Sequence, residues 1–560
     1  MSNLLTDTKS HINRLKSGVY KRFNLSNVTE WVLENTYLKG EKFSFKDHEY
    51  QLAILRDPSR EIVVRKCSQI GISELSARRT LAHAMIMPGF TTIFTLPTAS
   101  FASTFVKTRI DPIIDGSPAL AAAVHNSTNS SGVKRFGESF LYFKGTYGTN
   151  AAISIPADSL VHDEKDFSNL EVITNYQSRL SHSKHKLRLE LSTPTVEGYG
   201  ISEAFAMSRK HYNLCKCHHC NHTFVPGYYE HVRVDGVKDL REITKETIVN
   251  YDLSTARLEC PKCGKIPSLQ IEHRECVIEN NSANFEASGY QISPFDAPNS
   301  ISLKDLIISG TRYKRNADFV NFGLGLPAED KESGLNLEDL NPCFVPWEMP
   351  SAYTAVMGLD MGLKCHCMIG FVDYHGVLHT IHTEVIPVQE LEVRLRELRI
   401  KYRVRLTVAD SQPYVETIYR LQQSDPNLYA AIYVATKNLD VFQVKIKDEA
   451  PEKGVMDLRQ VNISRNRAFD ALSAEIRAGK WLCRIDENHQ DILTQLQDQK
   501  RIQVFDSDQE LSFVWRKTKG NDHFHNSLSY LRIASLMVGL THTPLVIPRL
   551  MTVFKNKGSM

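Results

Sequence analysis

Two adjacent carboxylates, Asp163 and Glu164, close the apolar run SLVHDE. Three more stand far downstream: Asp360 at the centre or end of an apolar strand, Asp410 at the end of another, and Asp522 at the start of a helical segment. An acid at a strand terminus followed at once by a second acid is the pair with which an ATP hydrolase holds Mg²⁺ and orients the attacking water. Three acids gathered at one point suit two hard divalent ions, Mg²⁺ or Mn²⁺, which activate water and stabilise the leaving oxygen of a phosphodiester. Singly, each aspartate reads equally as a cap or turn residue. Their order and spacing make the case for two catalytic centres, with Glu164 in the first and Asp360, Asp410 and Asp522 in the second. Glu384 and Asp373 stand as alternative ligands in the second centre. His525, one helical turn after Asp522, is placed to assist it or to bind a phosphate.

Upstream, VVRKCSQIGISELSARR has the strand, loop and helix order in which backbone N–H groups and a helix N-terminus meet a phosphate. The usual G-x-x-x-x-G-K-[ST] is absent. Only Gly71 and Ser73 hold their places, and Ile72 stands where the lysine belongs. Lys66, at the strand end, can reach back over the loop to the phosphates, leaving the Ser73 hydroxyl for Mg²⁺ beside Asp163. Read alone, the loop is more simply a tight turn; Asp163-Glu164 shift that balance. The ATP-binding set is then Tyr50 and Gln51 (towards the adenine), Arg65, Lys66, Gly71, Ile72 and Ser73. Ser192 and Thr193 end a later strand, where small hydroxyls can sense the γ-phosphate. Arg65, Arg79 and Arg179 are all open as arginine fingers.

Cys217-His-His-Cys220 and Cys260-Pro-Lys-Cys263 form two C-x-x-C knuckles with residues 221–259 between them. Each knuckle turns two thiolates to one point, and two complete an S₄ shell suited to a structural Zn²⁺. Cys215, His218 and His219 are substitutes for a ligand at that point.

The elements that must position these groups follow from periodicity. Strands at 61–66, 91–97, 159–164 and 186–195 alternate with helical stretches at 73–87 and 99–114, the pattern of a parallel sheet with helices on both faces. After the cysteine-bearing insertion (211–285) comes GYQISPF (289–295), followed by a Pro-containing segment to 350 that reads as lid and linker. A second α/β region opens with YTAVMGLDMG (353–362) and continues with a hairpin turning at His375-Gly376. It goes on through a helix (388–402), a strand (405–410) and a final helical segment (522–540). First strand, fourth strand and last helix is the arrangement by which ribonuclease H-like folds gather acids.

A chain of 560 residues exceeds one hydrophobic core, and 42% hydrophobic with 23% charged residues is ordinary for a globular protein. The net charge of +3 neither demands nor excludes nucleic acid. No run approaches the roughly 20 apolar residues of a membrane helix, and the N-terminus lacks the apolar core of a signal peptide. Cytosolic residence is the expectation, with the eleven cysteines as thiols or metal ligands.

In sum the chain resembles the large terminase subunit of tailed bacteriophages, nearer the lambda-like branch, over most of residues 40–545. The resemblance runs in order through a divergent Walker A (Arg65-Lys66 to Ser73), Walker B acids (Asp163-Glu164) and a coupling motif (Leu191-Ser-Thr-Pro-Thr195). It continues with the C-x-x-C pair, Gly358-Leu-Asp-Met-Gly362 and Asp522-His-Phe-His525-Asn. It implies a P-loop ATPase domain (41–210, continued at 286–350) carrying a zinc-ribbon-like insertion (211–285), then a ribonuclease H-like nuclease domain (351–545). It further implies ATP, Mg²⁺ or Mn²⁺ and structural Zn²⁺ as cofactors. The implied activity is ATP-driven movement of double-stranded viral DNA into a procapsid and cutting of concatemeric DNA. The implied partners are a small terminase subunit, contacted by residues 1–40, and the portal protein, contacted by a tail (546–560) with basic Phe554-Lys-Asn-Lys557. A ring of copies would act in the host cytoplasm, transiently at the portal and outside the mature virion. A transposase or integrase fits the zinc and the trio but not Asp163-Glu164. A helicase-like repair nuclease would carry a conventional GK[ST] loop.

Overall fold

The computed structural model describes residues 27–125, 128–147, 155–329, 333–434, 439–445, 459–505, 511–518 and 520–540. Most of 1–40 and all of 546–560, the proposed partner contacts, lie outside the described residues. The chain divides into two compact units, one up to Asp330 with Gln503–Ser512, the other Lys331–Ile502 with Phe513 onwards.

The first unit is built on a mostly parallel sheet. Its strands are β1 (Glu61–Lys66), β2 (Thr91–Leu96), β3 (Val133–Phe136), β4 (Ser139–Gly145), β5 (Ser159–Asp163) and β6 (Leu187–Ser192). They are joined by β7 (Arg209–Lys216), β8 (Arg274–Ile278) and β9 (Ser288–Ile292). The order across the sheet is β3-β4-β2-β5-β6-β1-β9-β7, with β8 and the short strand Thr223–Phe224 paired antiparallel to β7. From β4 to β7 every pairing is parallel. Such strands are covered on both faces, which is why Ile62, Val64, Phe94 and Leu191 are fully buried. Helix α1 (Ile72–Ile86) follows β1 directly. Gly71 supplies its N-cap in the left-handed region, at φ +77°. The hairpin of β3 and β4 escaped the sequence reading, because the polar, glycine-bearing run around it lacks the apolar signature of the buried strands.

The second unit holds β10 (Ala355–Asp360), β11 (Lys364–Val372), β12 (Leu378–Pro387), α2 (Leu391–Tyr402), β13 (Val404–Asp410) and β14 (Leu428–Tyr433). Further on come β15 (Phe442–Lys445), β16 (Gln460–Ile463), α3 (Arg465–Arg477), β17 (Trp481–Cys483), α4 (His489–Asp498) and α5 (His523–Leu540). The sheet order is β15-β16-β14-β13-β10-β11-β12-β17. β10, β11 and β12 form an antiparallel meander, and β13 and β14 run parallel to β10 on its other side. The expected hairpin turns at residues 373–377. This unit begins at 331, not 351, because Leu335, Leu340, Cys343 and Phe344 pack into its core against Trp481. The segment read as lid and linker therefore belongs in part to the second unit.

Helix α5 lies so close on β10 that a Cβ at Gly358 would collide with the backbone of Ser527 and Leu531. Ser527 also donates its hydroxyl to His366 O at 2.6 Å. This contact sets the start of α5 beside the end of β10.

Candidate functional site

In the first unit, parallel strands deliver Lys66, Asp163 and Ser192 to their C-terminal ends, where sheets of this kind bind ligands. Register places Arg65 opposite Ser192 and Asp163 opposite Leu191, so β6 lies between the lysine strand and the acid strand. Lys66 Nζ reaches over β6 to Glu164 Oε1 at 3.1 Å. Burial opposes its charge, but Glu164 and Asp163 together raise it above the ordinary lysine value. Asp163 is buried and its carboxyl is pushed up to about 6, chiefly by burial and by Glu164, while Lys66 and a hydrogen bond from Ser73 pull it down. Ser73, Asp163, Glu164 and Lys66 are thus one cluster. Its buried Glu164 Oε2 lacks a partner, and so does the Thr193 hydroxyl just after β6. A bound ligand is one way such atoms are completed.

Successive side chains of a strand point to opposite faces, so Arg65 turns away from Lys66. Its guanidinium lies over the Phe205 ring at 4.3 Å and donates to Gln291 Oε1 at 2.5 Å. Tyr50 and Gln51 are buried beneath the loop, where both donate to Ile70 O. Gly71 is needed there: a Cβ would meet Gln51 Nε2 at 2.7 Å. Ile72 packs into the core. Arg79 is buried in α1, and Arg179 bonds its neighbour Ser178.

Asp166 is a residue the sequence reading passed over, although the run Asp163-Glu-Lys-Asp166 advertises it. It is fully buried, and its carboxyl accepts from Thr195 N (2.8 Å), Thr195 Oγ1 (2.9 Å) and Ile201 N (2.6 Å). Gly200, at φ +56°, leaves it room. Asp166 N in turn donates to Ser192 Oγ. The acid loop is thereby tied to the segment that follows β6.

In the insertion, Cys217 Sγ lies 3.7 Å from Cys263 Sγ, and Cys220 Sγ lies 3.7 Å from Cys260 Sγ; all four sulfurs fall within 4.8 Å of one another. A tetrahedron with sulfurs about 2.3 Å from a central Zn²⁺ has edges of about 3.8 Å. The donor set therefore fits the ion. The knuckles turn alike, with Asn221 and Gly264 at positive φ donating to Cys217 O and Cys260 O. Cys215 donates instead to Ser268 O, and the His218 and His219 rings lie against each other, centroids 3.9 Å apart and tilted by 41°.

In the second unit, Asp360 and Asp410 end adjacent parallel strands (Leu359 pairs with Ala409), and Asp522 precedes α5. Burial pushes the Asp410 carboxyl up to about 6, with Asp360 and Asp522 raising it further. The three acids therefore act on one another, and hard cations suit such a donor set. Asp522 is held by Gln499 Nε2 at 2.8 Å and faces Arg465 at 3.5 Å. Glu384 is engaged elsewhere, by Arg394 on α2 and by His382, and Asp373 caps the β11–β12 turn. Of the two acids left open, Asp410 is the one beside Asp360.

His525 does not face the acids. It is fully buried, 4.2 Å from the Phe469 ring centroid, with both nitrogens unpartnered and its pKa pushed down to about 3 by burial. His523 takes the place expected of it, with Nδ1 2.8 Å from Asp360 Oδ2 and its ring stacked on His366. The hydrogen bond to Asp360 raises the His523 pKa, whereas burial outweighs that bond in raising Asp360. Two residues along a helix reverse the facing side.

Residues 49–279 match the family model of the phage terminase large subunit gpA, ATPase domain. No curated protein sequence matches the chain. Among solved structures, the HK97 bacteriophage large terminase aligns over 90% of this chain and 98% of its own, at 10% identity and a TM-score of 0.49. A large terminase from a thermophilic bacteriophage, in complex with ATP-gamma-S, aligns over 88% and 99%, at 11% identity and 0.30. The large terminase nuclease from thermophilic phage G20c covers 35% of this chain and 96% of its own, at 14% identity and 0.24.

Proposed function

From the premise that residues 49–279 belong to the ATPase-domain family of the phage terminase large subunit gpA, we propose that the chain is a two-engine DNA-packaging enzyme. Its first unit hydrolyses ATP to move double-stranded viral DNA into a procapsid. Its second unit cuts concatemeric DNA into genome lengths. The observation that carries the first activity is the Lys66, Ser73, Asp163 and Glu164 cluster with its unpaired Glu164 Oε2 and Thr193 hydroxyl.

In this reading Lys66 neutralises the phosphates, and Ser73 with Asp163 hold the cation. Glu164 orients the attacking water, and Ser192-Thr193 sense the γ-phosphate. Mg²⁺, when bound, supplies charge neutralisation at the phosphate oxygens. Lys66 holds Glu164, and nucleotide phosphates would compete for that ammonium and free the carboxylate for water. Arg65, engaged with Phe205 and Gln291, serves the sheet rather than the nucleotide.

In the second unit the meander β10-β11-β12 flanked by parallel β13 and β14 supports a ribonuclease H-like nuclease. Asp360, Asp410 and Asp522 would hold its metals, and two divalent ions supply water activation and leaving-group stabilisation there. Arg465 and Gln499 set the Asp522 carboxylate. The four cysteines hold structural zinc and leave no open position for catalysis. An integrase reading leaves the Lys66–Glu164 pair without a purpose.

The enzyme would act as a ring on the portal in the host cytoplasm, with a small subunit selecting the DNA. No helix among the described residues is long and apolar enough to cross a membrane. The deciding experiment assays the full chain on duplex DNA with Mg²⁺ or Mn²⁺, with and without ATP. Asp360→Ala should lose cleavage and keep ATP hydrolysis, and Glu164→Ala should do the reverse. Cleavage surviving in Asp360→Ala, or no ATP turnover in the wild type with DNA present, would overturn the reading.

A further inference from the structure

Thr195 is held from two sides. Its N–H and hydroxyl donate to Asp166, and its carbonyl accepts from Asn321 Nδ2 at 2.6 Å and from Ala328 N at 3.0 Å. Asn321 is buried and spends its second amide hydrogen on Leu326 O at 2.9 Å. It lies in a π-helical turn, Phe319–Leu324, that ends at Gly325 with φ +70°. A turn of this type inside a protein often marks a functional position.

The same short segment touches both the phosphate loop and the acid loop of the first unit. Phe322 O accepts from Ser68 N, in the phosphate loop, at 2.7 Å. The Phe322 ring stacks on Phe167, three residues beyond Glu164, at 5.9 Å and 11°. Gly325 lies so close to the loop that a Cβ would collide with the Lys66–Cys67 peptide. Gly325 O accepts from Gln291, the residue that also binds Arg65. After Ala328 the chain leaves the first unit, whose boundary is at Asp330.

We propose that Asn321 is a positioning residue for ATP hydrolysis. Through the Thr195 carbonyl it fixes the Ser192–Thr195 segment against the acid loop, and residues 319–328 carry the state of that segment towards the second unit. The inference rests on the ATPase reading above. Lys66–Glu164 joins the phosphate loop to the acid loop and Asp166 joins the acid loop to the segment after β6; residues 319–328 add one short segment that meets all three. A shift of any of them moves the Thr195 carbonyl, the Ser68 amide or the Phe167 ring, and all three are bonded or stacked to the same short turn. The two donors on one carbonyl act as a pair, so losing either loosens the hold on that side of Thr195 while Asp166 still holds the other.

The test uses full-length protein and two variants. Asn321→Asp keeps the size of the side chain but removes the donor amide. Ala328→Pro removes the other donor without touching a side chain. Four quantities are measured: affinity for a fluorescent ATP analogue, steady-state ATP hydrolysis with duplex DNA, the melting temperature, and the rate of tryptic cleavage at Arg312–Arg315 with and without Mg²⁺ and a non-hydrolysable ATP analogue. Both variants should bind nucleotide within about twofold of wild type and lose about tenfold or more in kcat at little-changed KM. The nucleotide-dependent change in tryptic cleavage seen in the wild type should disappear. Variants that keep kcat and the nucleotide-dependent cleavage overturn the proposal, as do variants that lose nucleotide binding and thermal stability together, since that marks a purely structural role. A wild type that turns over no ATP overturns the underlying ATPase reading instead.

Discussion

Lys66 Nζ and Glu164 Oε1 meet at 3.1 Å although a whole strand, β6, lies between the strands that carry them. A lysine's four-carbon stem spans that gap, so Lys66 at the strand end can stand over the loop that carries Ile72. The pair ties the phosphate loop directly to the acid.

Glu164→Gln should bind ATP and fail to hydrolyse it, with a loss of roughly 10²-fold or more if the carboxylate acts as base. Lys66→Ala should weaken binding as well. Phosphate release and equilibrium binding, measured on both variants, separate the roles. Equal loss of binding in the two would mean that Glu164 serves only as a salt-bridge partner.

Metal analysis should find one zinc per chain, lost in Cys260→Ser and in Cys217→Ser but kept in Cys215→Ala, whose thiol lies outside the cluster. Zinc removal should lower the melting temperature of the first unit, because Cys217 and Cys260 are part of the insertion's buried cluster with Phe224, Tyr228 and Leu258. Stoichiometric zinc in Cys260→Ser would refute the four-cysteine site.

Gly358→Ala should cost cleavage while sparing ATP hydrolysis. Its Cβ must push α5 off β10, with a penalty of about 1–3 kcal/mol or more. Asp522 then departs from Asp360. A variant that cuts DNA at the wild-type rate would show that the α5 contact does not set the acid geometry.

Two buried histidines should each cost stability on acidification, against the buried carboxyls of Asp163 and Asp410, whose raised values act in the opposite direction. His162, pushed down to about 4, and His525, pushed down to about 3, are buried neutral. A histidine whose folded pKa is depressed takes up its proton in the unfolded chain first, so stability is complete above about pH 6.5 and declines as pH falls towards the folded value. Between pH 6.5 and 5 each such group removes about 2 kcal/mol. His525→Phe, which fills the space beside Phe469, should flatten the part of the curve that belongs to the second unit. Urea denaturation at pH 5 and pH 7 measures this, and an unchanged slope in the variant would exclude His525 as a source.

The strands that carry the site residues were legible in sequence, since EIVVRK, SLVHDE and RLTVAD are short apolar runs ended by a charged group. The four cysteines were legible because two identical spacings coincide by chance only rarely. Facing was harder to read. Both His523 and His525 follow Asp522 in a helix, and only the packing of α5 on Phe469 turns one inward. Arg65 and Lys66 differ by a single residue, and strand alternation divides them between the two faces. Asn321 carries no local signal at all, because its partner Thr195 is distant in sequence and the turn that presents it is a backbone irregularity.

The strand β7 has a mechanical consequence. Its first half is hydrogen-bonded to β9, whose last residue pairs with Lys66, and its far end is followed at once by Cys217. Along a strand the backbone hardly stretches, so the sulfur cluster and Lys66 are joined by two stiff rods rather than by a tether. Whatever pushes on the cysteine end is felt at the Lys66 end as a displacement.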